Sequence, residues 1–175
     1  MRDIPSEETL FNKARANEIN LKNMFKGLVK TYSIDSNTAK ILTALFYWCE
    51  GSKYPASNCL GFTNSDPALV KTFLELLRKG FVIEESRLKA SLQIHSTHEY
   101  NDVLKFWSDL LKINKDKFYR PTITQPRHNM KRQNYVGTCT IKYHDVKLLL
   151  SIIGLYESFA VTVGEVAEWT KAEGC

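Results

Sequence analysis

The residue type with the clearest chemical use in this sequence is a lone acid at the end of an oily run. Thr43-Ala44-Leu45-Phe46-Tyr47-Trp48-Cys49 is almost wholly apolar and ends in Glu50, followed by Gly51, Ser52 and Lys53. A carboxylate is a hard oxygen ligand of the kind Mg²⁺ or Mn²⁺ takes, but one carboxylate does not fill the coordination sphere of such an ion. A second acid must be brought beside the first, most economically at the tip of a second helix packed against this one. A cation held that way against a phosphodiester would support its hydrolysis. Glu50 is expected at a helix C-terminus, where the helix dipole is negative and an anion costs ~0.3–1 kcal/mol. A placement that costs stability favours a functional reason for it. Lys53 follows closely enough to bind a phosphate or orient a water.

These residues need a helix to present them. The spacing predicts one that starts near Ser36 or Asn37, either a good N-cap, and runs through Ala39, Ile41, Leu42 and Leu45 to Glu50, with Gly51 as its stop. Its only charges are Lys40 and Glu50, so it is buried on several sides, in a core or in an interface. Ala44, Leu45, Trp48 and Cys49 are its candidate dimer-interface residues. An earlier helix is expected over 5–30 on a loose stripe that includes Leu10, Phe11, Ala14, Leu21, Met24 and Phe25. After Glu50, a hairpin is expected over 53–63, broken by Pro55 and Ser57-Asn58, then a helix capped by Asp66 with Pro67 in its first turn and ending near Gly80. A strand should run from Arg87 to His95. Ser96 to Glu99 reads as a capping box for a helix carrying Tyr100, Val103, Trp107 and Leu111. A second strand, Gly137 to Tyr143, leads into a last helix opened by His144 or Asp145. The fold class is α+β, with an antiparallel sheet and helices on one face.

The strands alternate with unusual polarity. Arg87, Lys89, Ser91, Gln93 and His95 share one face of the first, and Thr138, Thr140 and Lys142 share one face of the second. Neither face carries an acid. Bases, amides and hydroxyls contact phosphates and base edges, and a two-stranded ribbon fits the major groove. The stretch from Tyr119 to Tyr135 adds Arg120, Arg127, Lys131 and Arg132, again without an acid, and reads as a loop along a phosphate backbone. A formal charge of +5 agrees with an anionic partner, here double-stranded DNA. A hydrophobic share of 43% excludes wholesale disorder. The cysteines (Cys49, Cys59, Cys139, Cys175) are dispersed, which excludes a zinc signature and reads as free thiols in a reducing cytosol. His95 and His98 read as surface histidines rather than a metal pair. No signal peptide, glycine-rich phosphate loop or organic-cofactor motif is visible. The apolar runs 41–49 and 148–155 are too short to span a bilayer. The expected location is the cytoplasm, on the nucleoid when bound to DNA, with no membrane partner.

The Glu50-Gly51 ending of an apolar helix, the element order after it, and the phrases Gly61-Phe62-Thr63-Asn64-Ser65-Asp66-Pro67 and Gly137-Thr138-Cys139-Thr140 resemble the LAGLIDADG homing endonucleases, in particular a single-motif, stand-alone branch from bacteria and phages. The resemblance covers about residues 37–156. It implies an αββαββα core whose saddle-shaped antiparallel sheet straddles DNA, here with a helix inserted between the last two strands and an extra N-terminal helix. It further implies a homodimer acting on a pseudo-palindromic site, Glu50 as the metal-binding acid, Gly51 as the motif's final glycine, and the gene as part of a mobile element. Two positions depart from the family pattern: Glu50 stands where Asp is commonest, and Leu45 where glycine is common. A DNA-binding protein without cleavage on the same fold is the alternative reading.

The expected organisation is an N-terminal helical extension over 1–34, the endonuclease-like domain over 35–157 and a tail over 158–175. The tail segment Gly164-Glu165-Val166-Ala167-Glu168-Trp169-Thr170-Lys171-Ala172 resembles the start of a Leu- or Ser-type tRNA gene read as codons, so residues after about Glu157 are expected to have no selected role in the fold.

Overall fold

A computed structural model describes residues 7–53, 58–125 and 135–172. The chain divides into two compact units, Met1–Ile34 and Asp35–Cys175. The first unit is one long helix, α1 (Glu7–Thr31). Among its described side chains Phe11, Ile19, Leu21, Met24, Phe25 and Val29 are exposed.

The second unit begins with α2 (Ser36–Glu50). Asp35, one residue before Ser36 and two before Asn37, closes its N-terminus by accepting the Thr38 N–H at 2.7 Å. Next come β1 (Leu60–Asn64), α3 (Pro67–Gly80), β2 (Leu88–His95), α4 (Tyr100–Leu111), β3 (Thr122–Thr124), β4 (Thr138–Tyr143) and α5 (Val146–Ala172). Asp66 caps α3 by accepting the Ala68 N–H at 2.8 Å, with Pro67 in the first turn as the sequence predicts. Asp145 opens α5 by accepting the Leu148 N–H at 2.9 Å.

The four strands order as β1-β4-β2-β3. β4 pairs antiparallel with both β1 and β2, whereas β3 runs parallel to β2, so the sheet is mixed rather than antiparallel. The inserted helix explains the difference: α4 carries the chain back so that β3 re-enters alongside β2 in the same direction, a connection no hairpin can make. The sequence reading places β3 inside a loop, because three half-open residues give no periodicity. Of the expected hairpin over 53–63 the second arm is β1, and residues 54–57 lie outside the described residues. Just before them Gly51 bridges Phe62 and the Ser52 N–H donates to the Gly61 carbonyl at 2.8 Å. The capping box does not form. α4 starts after Glu99 with no side-chain cap, and the Ser96 hydroxyl instead bonds the Gln125 amide oxygen at 3.0 Å.

One sheet face is sealed by helices. Phe62, Ala90, Leu92, Cys139 and Ile141 are buried there, with α2, α3 and α5 packed on the strands and α4 packed on α3. Phe62 and Phe73 stack with centroids 3.9 Å apart. α2 and α3 cross closely where Gly80 meets Ala39 and Lys40: a Cβ at Gly80 would stand 2.9 Å from the Lys40 backbone nitrogen. Within α5 the stretch Val146–Gly164, with a mean hydropathy of 1.7, is long and apolar enough to cross a bilayer, longer than the run visible as 148–155. Of that stretch 11% is buried, with Leu149 and Ile152 in the core.

Candidate nucleic-acid interface

The other sheet face carries no helix-buried apolar row. Along β2 burial alternates without a break, with Leu88, Ala90, Leu92 and Ile94 inside and Lys89, Ser91, Gln93 and His95 outside. β4 does the same, with Thr138, Thr140 and Lys142 outside. Strand register stacks these into rows: Lys89 opposite Lys142, Ser91 opposite Thr140, Gln93 opposite Thr138. β1 adds Thr63, whose hydroxyl is 2.8 Å from that of Thr140, and β3 adds Thr122 and Thr124 beside Gln93 and His95. None of these outward residues is an acid. Sequence reasoning missed the three threonines, although the alternation within Leu60–Asn64 would have found Thr63.

Two lysines directly opposed on neighbouring strands repel one another. Lys142 Nζ lies 5.2 Å from the centre of the Tyr119 ring, a cation–π contact that holds the ammonium without neutralising it. The row is positive and open to an anion.

Other expected contacts are placed differently. Arg87 lies in a short 3₁₀ turn before β2, where its guanidinium pairs with Asp145 at 2.7 Å and bonds the His144 carbonyl. It is therefore removed from the open face, drawn off by the acid that caps α5. Bonds from the Leu148 N–H and then the charge of Arg87 hold the Asp145 carboxyl below its ordinary pKa. His95 is half-buried in a cluster with His98 and Tyr135. His98 accepts the His95 backbone N–H on Nδ1 and faces the Tyr135 carbonyl with Nε2 at 2.9 Å, so that nitrogen carries the proton. With both ring nitrogens committed, His98 has no lone pair to offer a metal. Arg127, Lys131 and Arg132 lie outside the described residues.

Glu50 is the last residue of α2 and is exposed. Among the described residues nothing pairs with its carboxylate. At Gly51 the chain steps directly onto the sheet edge beside β1. A glycine is needed there because any Cβ would collide with the Tyr47 ring and carbonyl, and the buried Tyr47 donates its hydroxyl to the Ser52 carbonyl, which fixes the turn. Lys53 follows, exposed. The four candidate interface residues divide. Ala44 is buried in this unit's own core, because it sits on the side of α2 that faces the sheet and α3, and it is unavailable to a partner. Leu45 is half-buried, while Cys49 and Trp48 are exposed. Trp48 stacks on Tyr156 of α5 at 5.5 Å, which leaves Ile41, Leu45 and Trp48 as a surface stripe at helical spacing.

Among the described residues no group of three or more His, Cys, Asp or Glu side chains is arranged to hold a metal. One chain supplies a single carboxylate at this tip, so these residues suit a divalent cation only where two copies meet. Comparisons with protein-family models, with curated proteins and with solved structures gave no match. The fold therefore defines the class, a mixed α+β domain with a four-stranded sheet open on one face.

Proposed function

We propose that this chain is a metal-dependent, sequence-specific double-stranded DNA endonuclease of the LAGLIDADG type, acting as a homodimer. One observation carries the reading. An unpaired carboxylate ends an apolar helix at the residue where the chain steps onto the edge of a sheet whose open face has paired lysines, amides and hydroxyls and no acid. With the Gly51 bridge taken as the stub of a first strand, the order α2, stub, β1, α3, β2, β4, α5 reads as αββαββα, with α4 and β3 inserted between β2 and β4.

On this reading Lys89 and Lys142 bind phosphate, and Ser91, Gln93, Thr138, Thr140 and Thr63 face the groove. The stripe Ile41, Leu45 and Trp48 packs against its copy, which brings two Glu50 carboxylates together over the scissile phosphates. The two Glu50 carboxylates would hold Mg²⁺ or Mn²⁺, which would supply Lewis-acid activation for hydrolysis of the phosphodiester. Lys53 holds the phosphate or the attacking water in line.

A DNA-binding protein without cleavage is the second reading, favoured by one feature. Glu50 is one methylene longer than the commoner acid, so its carboxylate sits further from the helix end. Incubating a random-sequence DNA library with the protein and Mg²⁺, then sequencing the new ends, separates the two. Paired cuts within a pseudo-palindromic site support the endonuclease. Salt-sensitive retention of DNA with no new ends supports the second reading, and an absence of both removes the DNA interface altogether.

A further inference from the structure

α1 is a 25-residue helix whose apolar side chains face water: Leu21 is 52% exposed, Met24 59% and Phe25 53%. Single helices draw most of their stability in proteins from packing such a face, so this one calls for a cover. The pattern says what kind. Positions 10, 14, 17, 21, 24, 28 and 31 are spaced alternately by four and three residues, the seam of a two-stranded coiled coil, and all but Asn17 and Thr31 are apolar.

We infer that α1 pairs with α1 of a second copy of this chain as a parallel, in-register coiled coil. Two complementarities fix the orientation. In the parallel register Lys13, one position before the seam, faces Glu18 on the other helix, opposite in charge. Glu18 already pairs with Lys22 of its own helix, an exposed couple that can share the carboxylate. Asn17 faces its own copy, where two amides satisfy each other. An antiparallel pairing loses both.

This inference rests on the homodimer proposed above. Only Tyr32 to Asp35 separates the end of α1 from the start of α2. Four residues reach at most ~14 Å, so a homodimer made through α2 raises the effective concentration of the second α1. The coiled coil would bring the two half-sites together before DNA arrives, which a cut in both strands requires.

The test uses the full chain without DNA or Mg²⁺. Under mild oxidation, L21C is expected to give a disulfide-linked dimer within minutes, whereas K26C, on the outer face of the helix, and the wild type do not. Sedimentation should show a weaker dimer for L21E than for the wild type, with circular dichroism retained for the second unit, and K26E as tight as the wild type. Cross-linking of L21C no faster than that of K26C would overturn the inference. So would a monomeric wild type in which L21E lowers the melting temperature, since α1 would then be covered by its own chain. E50Q should cross-link in the L21C background as well as its parent does. If the cross-link forms while the wild type cuts no DNA, the endonuclease reading fails and the coiled coil stands.

Discussion

The two faces of the sheet in the second unit come from the same alternating strands, yet they answer to different demands. The inner face is a packing problem: Phe62, Ala90, Leu92 and Ile141 are closed off by α2, α3 and α5, and among the described residues no buried side-chain nitrogen or oxygen lacks a hydrogen bond. The outer face is an electrostatic one. It sets Lys89 against Lys142 and fills the remaining rows with threonine, serine and glutamine. A sheet selected for stability alone would not oppose two ammonium groups. The contrast separates residues that pack from residues that face outward, one position apart along β2 and β4, and on the proposed DNA-binding reading each set can be altered without the other.

Replacing Phe62 by Ala tests the inner face. The lost ring, stacked on Phe73, should cost ~3–5 kcal/mol in denaturant unfolding of the second unit. A loss under ~1 kcal/mol would mean the inner face is loosely packed. Gly80→Ala comes next. Its Cβ would press on the backbone of Lys40, so ~1–3 kcal/mol should be lost, because backbone atoms cannot move aside as a flexible side chain can. A third change divides the two faces. Lys89→Glu replaces a repulsive cross-strand pair by an attractive one and should raise stability by ~0.2–1 kcal/mol. The same change should weaken DNA binding and flatten its dependence on log salt by about one unit. Stability and affinity falling together would show that Lys89 serves the fold.

The smallest effect is in pH. Asp145 has its folded-state pKa lowered, first by the Leu148 N–H and then by Arg87. The unfolded chain therefore binds this proton more readily, so the contribution is present above the ordinary aspartate pKa of ~3.9 and fades as pH falls through the lower folded value. Asp145→Asn should reduce the acid sensitivity of unfolding below about pH 4 and leave stability near pH 7 slightly lower. An unchanged acid limb would remove Asp145 as a contributor.

Much of the second unit was legible in the sequence because its signals are local. The strict alternation in Leu88–His95, the Asp66-Pro67 start and the Asp145 cap each depend on a few neighbouring residues and appear where expected. What escaped was set by distant partners. β3 exists because α4 returns the chain to β2. Asp35 takes the cap expected of Ser36 or Asn37. Arg87 turned away from the open face because Asp145, far along the chain, lies within its reach. Ala44, small enough for either role, went to the core rather than to a subunit interface. The candidate acid was readable from Glu50 and Gly51 alone, but the reason for the glycine, a Tyr47 ring against its α-carbon, needed coordinates.

The account turns on whether Glu50 serves chemistry or merely ends a helix. The most direct measurement compares E50Q with wild type on one cleavable DNA site in Mg²⁺, recording cleavage rate and DNA affinity in parallel. Loss of a metal carboxylate should slow cutting by ~100-fold or more, equivalent to ~2.7 kcal/mol, while binding and stability stay close to wild type. Cleavage by E50Q at the wild-type rate would contradict the account.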